Sequence, residues 1–142
     1  MDFLNVIVQL LTGFGILFGV CVYRRQMNAQ LFLDFTKRYE EIMRSYPDGA
    51  RGFRLHSDGE PPPESSELTT AVLRYLNLCS EEFYLWQGWY LSRGIWKIWQ
   101  KEMRRTLASP LYRREWKKVK GEFASYREFA DYVSKSQSER SA

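Results

Sequence analysis

Residues 3–25 read FLNVIVQLLTGFGILFGVCVYRR, and the architecture turns on this stretch. Phe3 to Tyr23 is a run of 21 residues without a formal charge, and Arg24-Arg25 follow at once. A helix rises about 1.5 Å per residue, so the run covers roughly 31 Å, the hydrocarbon thickness of a bilayer. A cleaved secretory signal would carry a basic n-region, a shorter apolar core and a small-residue cleavage site. Here Asp2 is the only charged side chain ahead of the run, and Val20-Cys21-Val22 is a poor cleavage site. A buried core helix seldom stays apolar on every face over such a length. The run therefore reads as a transmembrane helix. Arg24, Arg25, Lys37 and Arg38 lie just after it, so the positive-inside rule predicts an outside N-terminus and a cytoplasmic remainder.

One side of that helix is less apolar than the other. At 100° per residue, Asn5, Gln9, Thr12, Gly15 and Gly19 fall within about 120° of arc, opposite Phe3, Ile7, Leu10, Phe14 and Phe18. Gly15-x-x-x-Gly19 lets helix backbones approach closely, and amide side chains in lipid seek hydrogen-bond partners. These five residues are the candidate association face, toward a second copy or another membrane subunit.

Beyond the span about 119 residues remain, enough for one small domain. Aromatics make up 16% of the chain, so a packed core is feasible without disulfides. Cys21 sits in the span and Cys79 in a helical stretch, a placement that suits a reducing compartment. The apolar spacing of Leu31, Phe32, Phe35, Tyr39, Ile42, Met43 and Tyr46 continues the first helix to Pro47-Asp48-Gly49. The stretch 47–66, with Pro61-Pro62-Pro63, reads as a linker or surface loop. Ser65 or Ser66 can cap the next helix. Its apolar face runs Leu68, Val72, Tyr75, Leu76, Cys79, Phe83, Trp86 and Tyr90, with an end expected near Ser92-Arg93-Gly94. A helix over 95–107 turns Ile95, Trp99, Met103 and Leu107 inward. Ser109-Pro110 then starts another, bearing Leu111, Tyr112, Trp116, Val119 and Phe123. Ser125-x-x-Glu128 reads as a capping box for a last helix with Phe129, Tyr132 and Val133, and the polar end from Ser134 is expected to fray. No segment alternates with period two. The predicted fold is all-α: a transmembrane helix (1–23), an amphipathic extension (24–46), the linker (47–66), an aromatic-rich helical domain (67–134) and a flexible tail (135–142).

Catalytic signatures are sparse. One histidine, His56, cannot furnish a His-rich metal site, and Cys21 and Cys79 have no close partner. There is no phosphate-binding glycine loop and no nucleophile elbow. Asn77 and Glu81 are one turn apart and share a face. They are expected to meet an Arg or Lys of the basic region and fix helix register, rather than to do acid–base work with Glu82. The five tryptophans fit inward helix faces, with base stacking or headgroup anchoring as the other readings.

Charge is concentrated. Residues 93–127 hold eleven Lys/Arg against three Glu, a local +8, whereas residues 24–92 hold eight Lys/Arg against ten Asp/Glu. Lys97, Lys101, Arg104 and Arg105 share one stripe, and Arg113, Arg114, Lys117 and Lys118 lie on the following helix. This is a solvated face or a surface for anionic lipid; nucleic acid or an acidic protein is the further option.

The stretch Tyr75-Leu76-Asn77-Leu78-Cys79-Ser80-Glu81-Glu82-Phe83, followed by Trp96, Trp99, Arg105-Thr106-Leu107, Ser109-Pro110, Trp116 and Phe123, resembles an uncharacterised bacterial group of short, single-span, membrane-anchored helical proteins of unknown function. The resemblance covers residues 1–134. It implies this architecture in a bacterial inner membrane and assigns no functional residues. The expected role is that of an accessory or regulatory subunit whose cytoplasmic domain binds or scaffolds another component, without catalysis and without a cofactor. The alternative is a membrane-tethered nucleic-acid-binding or phage-response and stress-response factor.

Overall fold

In the computed structural model, residues 3–55 and 60–139 are described; His56 lies outside them. Every regular element among the described residues is helical. The helices are α1 (Phe3–Arg44), α2 (Ala50–Phe53), α3 (Ser66–Gln87), α4 (Arg93–Leu107), α5 (Pro110–Val119) and α6 (Arg127–Ser138), with a 3₁₀ turn over Lys120–Phe123 between the last two. The chain divides into two compact units between Asp34 and Phe35, inside the continuous helix α1.

The first unit is the N-terminal part of α1. No proline interrupts it, and the side chains of residues 3–26 are all exposed. It is the one helix among the described residues long and apolar enough to cross a membrane.

The second unit is built around α3. Ser65 caps α3 by accepting the Leu68 N–H at 3.0 Å, which satisfies one of the donors a helix start leaves open. Leu68, Val72, Leu76 and Leu78 of α3 are essentially sealed, as are Leu107, Leu111, Tyr112, Phe129 and Val133 of the later helices. Burying a side chain of this size stabilises by about 1.5–3 kcal/mol, so this layer dominates the unit. The end of α1 completes it with Phe35, Ile42 and Met43. Arg38 pairs with Glu81, while Tyr46 at the end of α1 shares a hydroxyl hydrogen bond with Tyr112, whose ring meets Tyr75 at 5.3 Å. The Tyr39 ring also meets the Tyr75 ring edge-on, at 6.2 Å. Phe35 stacks on Trp99 at 5.3 Å. Phe83 gathers Trp96, Phe129 and Tyr132 around it, and Trp86 lies flat on Trp96 at 5.4 Å. Four of the five tryptophans are thus core or core-edge residues.

Several expectations need correction. Helix α3 stops at Gln87, not near Ser92, and Tyr90 is exposed instead of continuing the apolar face. On α4 the buried face is Trp96, Met103, Thr106 and Leu107; Ile95 and Trp99 are only half-buried. Ser125 does not cap α6, which starts at Arg127 behind Tyr126 with no side-chain cap bond. The tail does not fray at Ser134: α6 continues to Ser138, Ser136 is buried, and the Gln137 amide donates to the Leu107 carbonyl at 3.2 Å. The proline-rich stretch contains α2, entered through Gly49 at φ 78°, a left-handed conformation that suits glycine. Arg54, just after α2, lies over the Tyr39 ring at 5.4 Å.

Candidate functional site

Helix α4 begins where Ser92 accepts the Ile95 N–H at 3.3 Å. Burial of Trp96, Met103 and Leu107 fixes its rotation, so Lys97, Lys101 and Arg105, at four-residue steps, face outward. With Arg104 they line a concavity of about 630 Å³ between α4 and the end of α6. Glu102 and Glu139 are the acidic members of its wall, against four cations; Ala108 and Ser136 line it too. Arg104 is held from two sides, by Glu139 at 3.4 Å and by the Tyr132 ring at 5.8 Å. Lys97, Lys101 and Arg105 remain exposed.

The basic residues of α5 are placed differently. Arg113 donates to the Gln137 carbonyl at 2.8 Å and so ties α5 to α6. Arg114 and Lys118 flank Glu115, whose side chain is fully buried, at 2.9 and 3.1 Å. Thr69 donates to the same carboxylate at 2.7 Å, and Arg114 also reaches the Pro62 carbonyl at 2.7 Å. Glu64 joins from outside, 3.0 Å from Lys118. Burial pushes the Glu115 carboxyl up, but the hydrogen bonds from Thr69, Lys118 and Arg114 outweigh it and hold the group below its ordinary value. Lys117 is exposed. Of the eight basic candidates, then, four converge on the α4–α6 groove and three serve the fold.

Glu81 does form an ion pair, but with Arg38 of α1 and not with the basic region; the second arm of the fork is 2.9 Å. Asn77 is exposed one turn away, its carbonyl accepting from the Ser80 hydroxyl at 2.8 Å. On α1, the Thr12 hydroxyl donates to the Val8 carbonyl at 2.8 Å, and Gly15 and Gly19 both face open space. Asn5 and Gln9 are exposed on the same arc.

Sequence reasoning missed the turn joining α3 to α4. The Trp89 N–H donates to the Trp86 carbonyl at 3.1 Å and the Tyr90 N–H to the Leu85 carbonyl at 2.9 Å. This is the Schellman pattern of a helix end, in which the residue after the cap is left-handed and usually glycine. Here that residue is Trp89, at φ 61°. A non-glycine residue held there costs of order 1–2 kcal/mol, and Trp89 is 73% exposed. Tyr84 and Tyr90 are more than half exposed beside it. A Cβ on Gly88 would lie 2.5 Å from the Tyr90 ring, so the preceding glycine makes room for that tyrosine. Gly88 was the available signal, masked by the apolar spacing that runs on through Trp89 and Tyr90.

The chain matches no family model, and no curated protein or solved structure matches it.

Proposed function

We propose that the chain is a single-pass membrane protein of a bacterial inner membrane, acting as an accessory or regulatory subunit. In this reading α1 crosses the bilayer from Phe3 to Tyr23 with its N-terminus outside. The second unit, in the cytoplasm, takes up an acidic segment of a partner protein. The observation that carries the binding role is the α4–α6 groove, where Lys97, Lys101, Arg104 and Arg105 converge. The charged clusters at Glu115 and Glu81 are instead engaged in holding helices together. A groove of mixed charge with a cationic excess favours a mainly acidic protein surface, since complementarity at such a site gives specificity and encounter rate. Base stacking gains little support, because four of the five tryptophans pack within the unit and only Trp89 among them is largely exposed.

The test uses the full chain in nanodiscs of neutral lipid, with an acidic peptide, duplex DNA and anionic lipid as separate probes over a salt series. The acidic peptide should bind, and weaken as salt rises. Lys97→Glu with Lys101→Glu should weaken it by about tenfold or more, whereas Lys117→Glu should leave it unchanged. Binding of DNA without the peptide would replace this reading by the nucleic-acid one. Equal loss from both sets of variants, or no binding of any probe at low salt, would remove the groove from consideration.

A further inference from the structure

We propose that the end of α1 and the short helix α2 form an anion site, in which Arg44, Arg51 and Arg54 hold the phosphate group of a small ester or diphosphate.

The site is made by the reversal at Pro47-Asp48-Gly49. Gly49, in its left-handed conformation, lets the chain turn back on α1. Arg54 is thereby laid over the Tyr39 ring at 5.4 Å, and a recess of about 410 Å³ is lined by Tyr39, Glu40, Met43, Arg44, Arg51 and Arg54. That volume is within the range of small-molecule sites. Three guanidiniums stand there against one carboxylate. Arg44 reaches Glu40 only at 3.9 Å, with both side chains mostly exposed, a pair that contributes little. Among the described residues neither Arg51 nor Arg54 forms an ion pair. The Arg54 Nε is shut off from solvent without a hydrogen-bond partner, where buried polar groups are ordinarily paired. Arg38, Arg104 and Arg114, by contrast, each meet a carboxylate across the unit. Gathering three like charges has a cost that an anion between them removes.

The residue type names the anion. A carboxylate is satisfied by one guanidinium fork, whereas a phosphate offers more oxygens and more charge, and can be held from several directions. The stacked Arg54 is already fixed in orientation, so less freedom is lost when it binds. A second recess of about 410 Å³ shares Met43, Arg44 and Arg51 with the first and continues past Tyr46, Asp48, Gly49 and Gly52. A Cβ on Gly49 or Gly52 would meet nothing within 4 Å, so this side is open backbone with room for the group that bears the phosphate. Asp48 is placed there to accept from a hydroxyl of that group.

The test uses the full chain in phosphatidylcholine nanodiscs, with inorganic pyrophosphate as the probe, read by isothermal titration calorimetry without divalent cations. Pyrophosphate should bind, and more weakly as salt rises. Arg51→Gln should weaken it by about tenfold, and Arg44→Gln with Arg51→Gln by about a hundredfold, as expected for charge-assisted contacts. Both side chains are exposed, so the helical circular dichroism should stay that of the parent. Lys117→Gln with Lys120→Gln removes the same charge from exposed positions at the end of α5 and should leave binding as it was. Replacing part of the lipid by phosphatidic acid, against phosphatidylglycerol at the same mole fraction, separates the sources of the phosphate. Pyrophosphate displaced only by phosphatidic acid assigns the site to a lipid headgroup; equal binding in the two assigns it to a soluble ester. Equal loss from the arginine and lysine pairs would reduce the effect to net charge and overturn the proposal. Absence of pyrophosphate binding at low salt would overturn it as well.

Discussion

Glu82 and Glu115 show how far one residue type can be driven in opposite directions by its surroundings. Both are buried. Burial raises the Glu82 carboxyl to about 8, because the Arg38 charge that would lower it is only a partial offset and Glu81 beside it works the other way. Glu115 is held below its ordinary value by Thr69, Lys118 and Arg114. The stability consequences have opposite signs. For Glu82 the unfolded chain releases the proton near 4.5 and the folded chain near 8, so between those values the folded state binds more protons and stability falls as pH rises. For Glu115 the contribution is complete above the unfolded value and is lost as pH falls through the depressed folded value. The second unit should therefore be most stable near pH 5. Between pH 5 and 8 the Glu82 effect has a slope on the order of 1 kcal/mol per pH unit at most. Glu82→Gln should flatten that decline and raise stability at pH 8, as read by denaturant unfolding of the full chain in detergent across the pH range. An unchanged slope in the variant would show that Glu82 ionises in the folded state at its ordinary value.

At the scale of elements, what was legible in the sequence was local. Helix starts at Ser65 and Ser109 rest on a hydroxyl meeting an N–H three residues on, a relation within one turn; Ser92 does the same for α4, although the sequence reading placed it at the end of the preceding helix. The end of α3 was not legible, because Trp89 and Tyr90 prolong an apolar period whose burial depends on what packs against it. Ser125-x-x-Glu128 had the right letters for a cap, but the chain reaches Arg127 through a 3₁₀ turn and starts α6 later. Helix α1 poses the reverse case, a face clear in sequence whose residues are exposed. If the stripe of Asn5, Gln9, Thr12, Gly15 and Gly19 mediates helix association, Gly15→Leu with Gly19→Leu should reduce crosslinking between copies, or to another subunit, in native membranes. Leu10→Ala with Phe14→Ala, on the opposite side, should not. Interhelical side-chain hydrogen bonds contribute about 0.6–2 kcal/mol each, enough to select a partner. Equal loss from both double variants, or none from either, would discard the face.

For the whole molecule, the charge asymmetry could be read directly, but not its partition. Lys97 and Lys118 look alike in sequence; only folding brings Glu64 from ahead of α3 to Lys118, while leaving Lys97 on an open groove. The same sorting bears on orientation. Arg38 is engaged with Glu81, and cations of a folded domain far from the span count little toward topology. Orientation thus rests mainly on Arg24 and Arg25, next to the uncharged run. Each arginine drawn to the bilayer centre would cost about 2.5–3.5 kcal/mol on insertion scales, so in the proposed topology the pair resists translocation and would keep the second unit on the cytoplasmic side. A fluorescent-protein fusion after Ala142 should be bright, and an alkaline phosphatase fusion at the same point inactive, in a bacterial host. Arg24→Glu with Arg25→Glu, combined with two lysines inserted ahead of Phe3, should invert part of the population and make the phosphatase fusion active. Phosphatase activity from the unaltered chain would reverse the assigned orientation, and it would move the α4–α6 groove to the opposite side of the membrane from the partner proposed for it.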